Sequence, residues 1–262
     1  MEVKISVIMG IYNCASTLQE ALNSLYAQTF RDFEIILCDD GSTDDTLKIA
    51  LENQILHSNI VVLKNEENKG LNYTLNRCLE VANGKYIARM DGDDISLPTR
   101  FEKEYTFLEN NPEYSIVSCS MIQFDANGDF RVYSPKEKPV KRDFIGSAVF
   151  VHAACLVLKE AYFAVGGYSV NKRLLRVEDY HLWFKMYEKG YIGYNIQEPL
   201  YKMRDDRNAY QRRKYKYRIN EAYVRSMCYL KLGLPWYYQV LVLKPLIIGL
   251  LPAPIYHYLH KK

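Results

Sequence analysis

Apolar and polar residues follow one another in a regular succession over the first ninety positions of the chain. Short runs rich in β-branched and aliphatic residues predict four strands, at 3–9, 33–38, 60–63 and 85–90. Between these runs, apolar residues recur at spacings of three and four, as at Leu18, Ala21, Leu22 and Leu25, which is typical of a helix with one buried face. Strands that alternate with helices at this pitch indicate βαβ units. The pattern therefore predicts an α/β fold with a mainly parallel sheet flanked by helices.

The pattern loosens from about residue 115, where shorter and less regular segments follow. They predict strands at 116–124, 130–133 and 153–158, and a helix at 179–189. Beyond residue 200 the chain becomes basic and rich in tyrosine, with helical spacing. We therefore expect one domain over 1–200, built from the halves 1–114 and 115–200, and a helical, amphipathic C-terminal extension over 201–262.

Charge is distributed unevenly along the chain. The formal net charge of the 262 residues is +3, but residues 1–200 carry a net −7 and residues 201–262 a net +10. A basic C-terminal segment indicates a polyanionic partner, either nucleic acid or an anionic membrane surface. The six cysteines are scattered and form no C-x-x-C pair, so we interpret them as reduced thiols of a cytosolic protein.

An acidic cluster, Asp91-Gly92-Asp93-Asp94, follows directly on the fourth predicted strand. Three carboxylates within four residues repel one another unless a cation lies among them. The carboxyl ends of strands form the edge of an open α/β sheet where ligands bind. Hard oxygen ligands at such an edge suit Mg²⁺ or Mn²⁺. An isolated cluster of this kind is more often an acidic surface turn, so the interpretation depends on the motifs that accompany it.

Further motifs stand in a fixed order around this cluster. Ile11-Tyr12-Asn13 follows the first strand, Asp39-Asp40 the second, Lys69-Gly70 opens the third helix, and Glu178-Asp179 opens the late helix. With Ala82-Asn83-Gly84-Lys85-Tyr86-Ile87 and Gly166-Gly167-Tyr168 between them, the set resembles the family-2 glycosyltransferases of GT-A fold over about residues 3–200. The resemblance implies a Rossmann-like, nucleotide-binding sheet in the first half.

The resemblance also implies a donor site and a metal site. It assigns the nucleotide-sugar donor, with a UDP-sugar expected, to Ile11, Tyr12, Asn13, Asp39, Asp40, Lys69, Gly70, Asp91 and Gly92. Tyr12 offers a flat ring for the nucleobase, and Asp39 can accept a hydrogen bond from a uracil imide. Asp93 is the implied metal ligand, with Asp91 and Asp94 as further candidates. Mn²⁺ or Mg²⁺ held there would neutralise charge on the leaving nucleoside diphosphate.

The late pair of acids supplies the remaining chemistry. A sugar hydroxyl is a poor nucleophile until a general base removes its proton. The resemblance places that base at Asp179, with Glu178 orienting it or the acceptor, and implies inversion at the anomeric carbon. The alternative is that two acids at a helix N-terminus complement the helix dipole. His181, Arg173 and Arg176 are candidates for contacts to phosphate or acceptor. The alternative for His181 is a packed helix residue, and the alternative for the two arginines is a solvated loop.

The C-terminal extension carries apolar runs that are interrupted by Lys244, Pro245, Pro252 and Pro254. A transmembrane helix needs about 20 predominantly apolar residues, so we predict no membrane span. Trp and Tyr residues flank these apolar runs, and a basic stretch precedes them. Both features suit a segment that lies in the headgroup interface of a membrane. The alternative is a helix packed against the catalytic domain. The expected location is therefore cytoplasmic, peripherally attached to the inner face of the cell membrane.

Taken together, the sequence predicts a metal-dependent, inverting glycosyltransferase. It would move a sugar to a hydroxyl of a saccharide acceptor, which we expect to be lipid-linked, in the biosynthesis of bacterial surface polysaccharide. One alternative is a sugar-phosphate nucleotidyltransferase, which would release pyrophosphate and would not need Glu178-Asp179. A second is a non-catalytic protein whose interleaved Tyr and Arg residues bind nucleic acid or membrane. That alternative leaves the acidic cluster unexplained, and we expect no nucleic acid partner.

Overall fold

The computed structural model describes residues 3–146, 148–205 and 214–250. The elements follow in the order β1 (Ile5–Ile11), α1 (Leu18–Tyr26), β2 (Phe33–Asp39), α2 (Thr46–Leu56), β3 (Ile60–Lys64), α3 (Leu71–Val81), β4 (Tyr86–Arg89), β5 (Ile95–Ser96), α4 (Arg100–Asn110), β6 (Ile116–Asp125), β7 (Gly128–Tyr133), β8 (Leu156–Leu158), α5 (Lys159–Ala164), α6 (Glu178–Glu188), β9 (Gly193–Arg204), α7 (Tyr215–Lys231) and α8 (Leu243–Leu250). Short 3₁₀ turns occupy Lys141–Ile145, His152–Ala154, Lys172–Leu174 and Trp236–Val242.

The described strands form one mixed sheet in the order β3-β2-β1-β4-β8-β6-β9-β5, with β7 paired to β6. The first four strands along that order are parallel, as the sequence predicts for the nucleotide-binding half. The second half is mixed, because β8 runs antiparallel to both β4 and β6 while β9 runs parallel to β6. The predicted strand at 153–158 is shorter, since its first part is a 3₁₀ turn at His152–Ala154 and only Leu156–Leu158 is extended.

The core lies on both faces of the sheet. Successive side chains of a strand point to opposite faces, so Ile87 of β4 joins a cluster with α3 and α6 while Ala88 joins one with α1 and α4. All of β2 is buried, as is typical of a parallel strand covered on both faces. The six cysteines are free thiols, of which Cys14 alone is half-buried and the other five are buried.

The C-terminal extension begins as part of the packed structure. Helix α7 buries Ala222, Val224, Cys228 and Tyr229, and three of these belong to the same core cluster as α6. The turn Trp236–Val242 and helix α8 then fold back on α7. Among the described residues, none of the helices combines the length and the apolar character needed to cross a membrane.

Candidate active site

The carboxyl ends of three neighbouring strands bring the predicted donor motifs together. Strand β1 lies between β2 and β4, and Ile11 at its end pairs with Asp39 at the end of β2. Tyr12 follows with 47% of its surface exposed, so its ring is available to a ligand. Asn13 adopts a left-handed backbone with φ of 48°. Its main-chain N–H donates to Ser42 Oγ at 3.0 Å, and its side-chain oxygen accepts from the Thr43 N–H at 2.9 Å. The β1 and β2 loops are thereby joined.

Asp39 offers an unused acceptor inside the protein. It is fully buried, and its Oδ2 accepts a hydrogen bond from the Ser42 N–H at 3.2 Å. Its Oδ1 is buried without a partner in the described part of the chain. An unsatisfied buried acceptor costs about 1–3 kcal/mol, so such atoms call for an explanation. A ligand N–H donor would satisfy this one.

Asp40, unlike Asp39, has hydrogen-bond donors for both of its carboxylate oxygens. Its Oδ1 accepts from the Lys69 N–H at 2.8 Å and from the Asn65 side chain at 2.7 Å, and its Oδ2 accepts from the Gly70 N–H at 2.9 Å. Gly70 has a φ of 89°, which favours glycine at this turn. The ammonium of Lys69 pairs with Glu67. Asp40 thus fixes the loop before α3 beside the donor edge, and its direct contact with a donor stays a prediction.

The acidic cluster is held by residues of the strands β4 and β9. Asp91, Asp93 and Asp94 can each present one oxygen so that all three lie within 4.8 Å of one another. Both oxygens of Asp91 accept from the buried guanidinium of Arg89. Asp94 is buried and accepts from the Tyr201 hydroxyl at 2.8 Å and from the Arg204 N–H at 2.8 Å. Asp93 is the exposed member.

Gly92 lets the cluster fold tightly against β1. A Cβ atom at this position would lie 2.8 Å from the Cys14 sulfur, which is closer than packed atoms allow. The carbonyl oxygen of Gly92 accepts from the Thr17 hydroxyl at 3.0 Å, so the start of α1 also fixes this turn.

The electrostatics of the cluster favour a cation. Burial raises the pKa of Asp94 to about 8, and the charges of Asp91 and Asp93 add to this. Burial and the charge of Asp91 also raise the pKa of Asp93. A bound divalent cation would relieve this repulsion, and three carboxylates are hard oxygen ligands of the kind that Mg²⁺ and Mn²⁺ accept. The residues present therefore fit the predicted metal.

The predicted base lies at the start of α6. Glu178 and Asp179 form its first turn and are both half-buried. Oδ1 of Asp179 accepts from the N–H of Tyr180 at 2.7 Å, whereas Oε2 of Glu178 is buried without a partner among the described residues. Burial raises the pKa of both groups, and the charge of Asp179 raises that of Glu178 further. A raised pKa brings a carboxylate closer to the value that suits a general base.

The remaining predicted contacts are less concentrated. His181 is buried against Phe184, and burial followed by the charge of Lys185 lowers its pKa to about 4. Its contact with phosphate stays a prediction. Arg173 stacks over the Tyr223 ring of α7 at 5.4 Å, while Arg176 is exposed, with a left-handed φ of 71°, two residues before Glu178.

Three residues that sequence reasoning missed belong to this site. Arg89 was visible as a charged residue within an apolar strand, and that signal could have identified it. Tyr201 and Arg204 lie on β9, whose pairing beside the cluster depends on contacts across more than a hundred residues. No local pattern identifies them.

The fold and the site together define a class of protein. A parallel sheet edge with a free buried acceptor, an acidic triad and a pair of half-buried carboxylates is the arrangement of a nucleotide-sugar-dependent glycosyltransferase. The family comparison agrees with this assignment. The chain belongs to glycosyl transferase family 2, whose family model matches residues 6–165.

Individual relatives extend the similarity over the whole chain. The chain is 40% identical over 260 residues to a putative glycosyltransferase, EpsE, of Bacillus subtilis, covering 99% of this chain and 94% of the relative. It is 31% identical to the UDP-Gal:alpha-D-GlcNAc-diphosphoundecaprenol beta-1,3-galactosyltransferase of Escherichia coli, covering 99% and 96%. The fold is similar to that of S. aureus TarS 1–349 in complex with UDP, with a TM-score of 0.72, 19% identity, and coverage of 99% of this chain and 75% of that one.

These comparisons decide between the alternatives. The protein is a glycosyltransferase of GT-A-like fold, as the sequence motifs predicted, rather than a nucleotidyltransferase or a non-catalytic binding protein.

Proposed function

We propose that the protein transfers a sugar from a UDP-sugar to a hydroxyl of a lipid-linked saccharide during the assembly of a bacterial surface polysaccharide. The observation that carries the donor assignment is Oδ1 of Asp39, which is buried and has no partner among the described residues, at the same sheet edge as the acidic cluster. The acceptor assignment is supported by the E. coli galactosyltransferase, whose name specifies a diphosphoundecaprenol-linked acceptor.

Uridine fits the edge formed by β1 and β2. Its imide N–H is a donor that would satisfy Asp39 Oδ1, and its base would stack on the exposed ring of Tyr12. Cytosine presents an acceptor at the same ring position, so the buried carboxylate would reject it. This is the type of discrimination that an unpaired buried polar group produces.

The acidic cluster serves the leaving group. Asp93, with Asp91 and Asp94, would hold Mn²⁺ or Mg²⁺, which when bound neutralises the negative charge that develops on the nucleoside diphosphate. The hydrogen bonds from Tyr201 and from the Arg204 main chain keep the Asp94 carboxylate oriented toward the cluster.

Asp179 takes the acceptor proton in this mechanism. The acceptor hydroxyl oxygen attacks the anomeric carbon while its proton passes to the Asp179 carboxylate. The bond from the anomeric carbon to the diphosphate oxygen breaks, and UDP leaves with the electron pair. One displacement inverts the anomeric configuration. Glu178, whose Oε2 has no partner within the part of the chain that the structure describes, orients the acceptor hydroxyl.

The C-terminal segment would bring the site to the lipid-linked acceptor. Apolar side chains after α7 are strongly exposed, with Trp236 at 82%, Ile247 at 60% and Leu250 at 72%. The segment 201–262 carries a net charge of +10. Exposed apolar residues together with basic charge suit the interface of an anionic membrane.

The donor and acceptor assignments can be tested with purified protein. We would incubate it with Mn²⁺, one of UDP-glucose, UDP-galactose or UDP-N-acetylglucosamine, and a synthetic N-acetylglucosaminyl diphosphoryl lipid, and measure UDP release and the glycosylated lipid. The proposal expects UDP and an inverted linkage with one of these donors. Turnover only with GDP- or dTDP-sugars, or with acceptors that lack the diphosphoryl lipid, would refute the donor or the acceptor assignment respectively.

A further inference from the structure

Arg89 occupies an unusual position for a charged residue. It is the last residue of β4, and its side chain is only 5% exposed. Both terminal nitrogens are committed to one carboxylate, since Nη1 donates to Asp91 Oδ2 and Nη2 donates to Asp91 Oδ1, each at 2.5 Å. A two-bond fork of this type fixes the plane and the direction of the carboxylate as well as its charge.

Two hydrogen bonds fix the main chain of Arg89. The Arg89 N–H donates to the Cys155 carbonyl at 3.0 Å, and the Arg89 carbonyl accepts from the fully buried guanidinium of Arg100 at 3.2 Å. The guanidinium loses its hydration on burial while the Asp91 side chain stays 35% exposed, so the ion pair gains little stability in return for the cost of burying the charge. The Arg89–Asp91 pair therefore calls for a reason beyond folding stability.

The same guanidinium also acts on the other side of the reaction centre. By strand alternation, Arg89 points to the face of the sheet on which Ile87 packs with α6. Its positive charge lowers the pKa of both Glu178 and Asp179, in opposition to burial, which raises them. Burial and the same charge hold the pKa of His152 well below its usual range, so this histidine adds no competing cation.

We propose that Arg89 is a positioning residue for both halves of the transfer reaction: its fork sets the Asp91 carboxylate in the metal and donor site, and its charge lies on the face of the sheet that packs against α6, the helix that carries the general base. This inference rests on the proposed function, because it takes Asp91 as a donor-side group and Asp179 as the base. One buried side chain would thus orient the Asp91 carboxylate on the donor side and supply a positive charge near Asp179 on the acceptor side.

Other charged groups lie on α6 and on the elements that pack against it. On α6 itself, Glu178 precedes the base, Lys185 donates to the Val165 and Gly167 carbonyls, and Glu188 pairs with Lys231 of α7. On α7, Arg218 and Arg225 both pair with Glu221. The remaining charged or titratable side chains include His181 of α6, Lys216 of α7, Lys159 and Glu160 of α5, Lys141, Arg142 and Asp143 of the 3₁₀ turn, the last paired with Lys136, and Arg173 and Arg176 of the segment before α6.

Two substitutions separate the fork from the charge. Arg89→Lys keeps a positive charge but cannot make the planar two-bond contact, so it should weaken Mn²⁺-dependent UDP binding by roughly 10–100-fold, as losses of groups that orient ligands do. Arg89→Gln removes the charge that lowers the pKa of Asp179, so it should in addition raise that pKa. In Arg89→Lys that pKa should stay at its wild-type value.

The pKa can be read without substrate from the ¹³C carboxyl resonance of Asp179 in aspartate-labelled, metal-free protein, with Asp179→Asn providing the assignment. UDP binding is measured in parallel by the rise in melting temperature on titration with UDP and Mn²⁺. Arg225→Met is the matched control. It removes another largely buried guanidinium, whose ion pair is with Glu221, and it should lower the melting temperature but leave the Asp179 pKa in place.

Each outcome decides the proposal. A raised Asp179 pKa in Arg89→Gln alone, with weakened UDP binding in both Arg89 variants, supports it. An unchanged pKa in Arg89→Gln, an equal change in Arg225→Met, or failure of both Arg89 variants to fold by circular dichroism would overturn it in favour of a purely structural role. Since the titration needs no turnover, a wild-type protein that transfers no sugar would count against the proposed function and not against the placement of Arg89.

Discussion

Asp93 is the member of the acidic cluster whose loss should affect function without affecting the fold. It is exposed, so replacing it with alanine should change the free energy of unfolding by only about 0.5 kcal/mol. The cluster would then lack its accessible oxygen ligand. We expect Asp93→Ala to abolish the Mn²⁺-dependent rise in melting temperature caused by UDP, and to abolish transfer.

The matched control for this change is Asp129→Ala. Asp129 is also an exposed aspartate, paired on the surface with Lys202 and outside the cluster. Its replacement should leave UDP binding in place. Full activity of Asp93→Ala, or of the wild type in EDTA, would remove the metal assignment.

Asp179 should matter for turnover and not for donor binding. Asparagine keeps the shape of the side chain, including the oxygen that accepts from the Tyr180 N–H, but it cannot take a proton. We expect Asp179→Asn to lower kcat by 10²–10⁴-fold, as is usual when a general base is lost, with UDP affinity almost unchanged. The measurement is UDP release at saturating donor. Unchanged turnover would move the base elsewhere, with Glu178 the next candidate.

The pH dependence of turnover follows from the same residue. Burial raises the pKa of Asp179 above the usual value for aspartate, and only the deprotonated form can accept the hydroxyl proton. Activity should therefore fall with acidification at a higher pH than an exposed aspartate would give. The acid limb of the kcat profile should be absent from whatever residual activity Asp179→Asn retains.

The first four strands could be predicted from the sequence, and the elements that complete the site could not. Buried parallel strands are continuous apolar runs, so local composition identifies β1 to β4 within about two residues. Strand β9 contains Pro199, and its register with β6 shifts twice near Ser120. Its position beside the acidic cluster is a property of the assembled sheet, and this is why Tyr201 and Arg204 were missed.

Strand β9 gives a prediction of its own through Tyr201. The Tyr201 hydroxyl donates to Asp94 at 2.8 Å, and phenylalanine would leave that buried carboxylate with one fewer partner. Groups that orient metal ligands are typically worth 10–100-fold in metal affinity. We expect Tyr201→Phe to raise the Mn²⁺ concentration needed for UDP binding by that factor.

Tyr187→Phe is a suitable comparison for Tyr201→Phe. Its hydroxyl is also buried and hydrogen-bonded, to the Pro139 carbonyl and the Gly193 N–H, but it contacts no member of the cluster. It should lower stability by about 1–3 kcal/mol without changing the Mn²⁺ requirement. Equal Mn²⁺ curves for the two variants would show that Tyr201 has no special role.

Helix α6 also makes stability depend on pH through His181. The folded protein holds the pKa of His181 at about 4 against 6.5 for a free histidine, because burial disfavours the charged ring. Between these values the unfolded chain binds a proton that the folded protein does not, so stability should fall as pH decreases from 6.5 to 4, by at most about 3 kcal/mol. His181→Gln should reduce that dependence. Urea unfolding of both proteins at pH 7, 5.5 and 4.5 measures it, and parallel curves would contradict the prediction.

At the scale of the whole molecule, the basic C-terminal extension consists of two parts that differ in burial. Helix α7 is a packing element, because three of its four buried residues belong to the same core cluster as α6. The exposed apolar side chains lie after it, from Trp236 to Leu250. Sequence periodicity could not separate these two parts, since both read as amphipathic and helical.

The membrane proposal can therefore be tested by surface substitutions that spare α7. Trp236, Val240 and Ile247 are all at least 60% exposed, so changing them together to serine should leave the fold and UDP binding intact. The apolar contribution to membrane binding should be lost, and the triple variant should float poorly with vesicles containing 30% phosphatidylglycerol.

Replacing Arg212, Arg213 and Lys214 with glutamine should weaken flotation less, and added salt should mimic that change, because salt screens charge but not apolar burial. Of these three basic residues, Arg212 and Arg213 lie outside the described part of the chain.

The control for the apolar variant changes Ile55 and Leu56 to serine. Both side chains are equally exposed, but they lie on α2, so this variant should float like the wild type. If the wild-type protein stays off anionic vesicles at low salt, or the α2 variant is lost from them as readily, the exposed residues after α7 serve another purpose than docking to lipid.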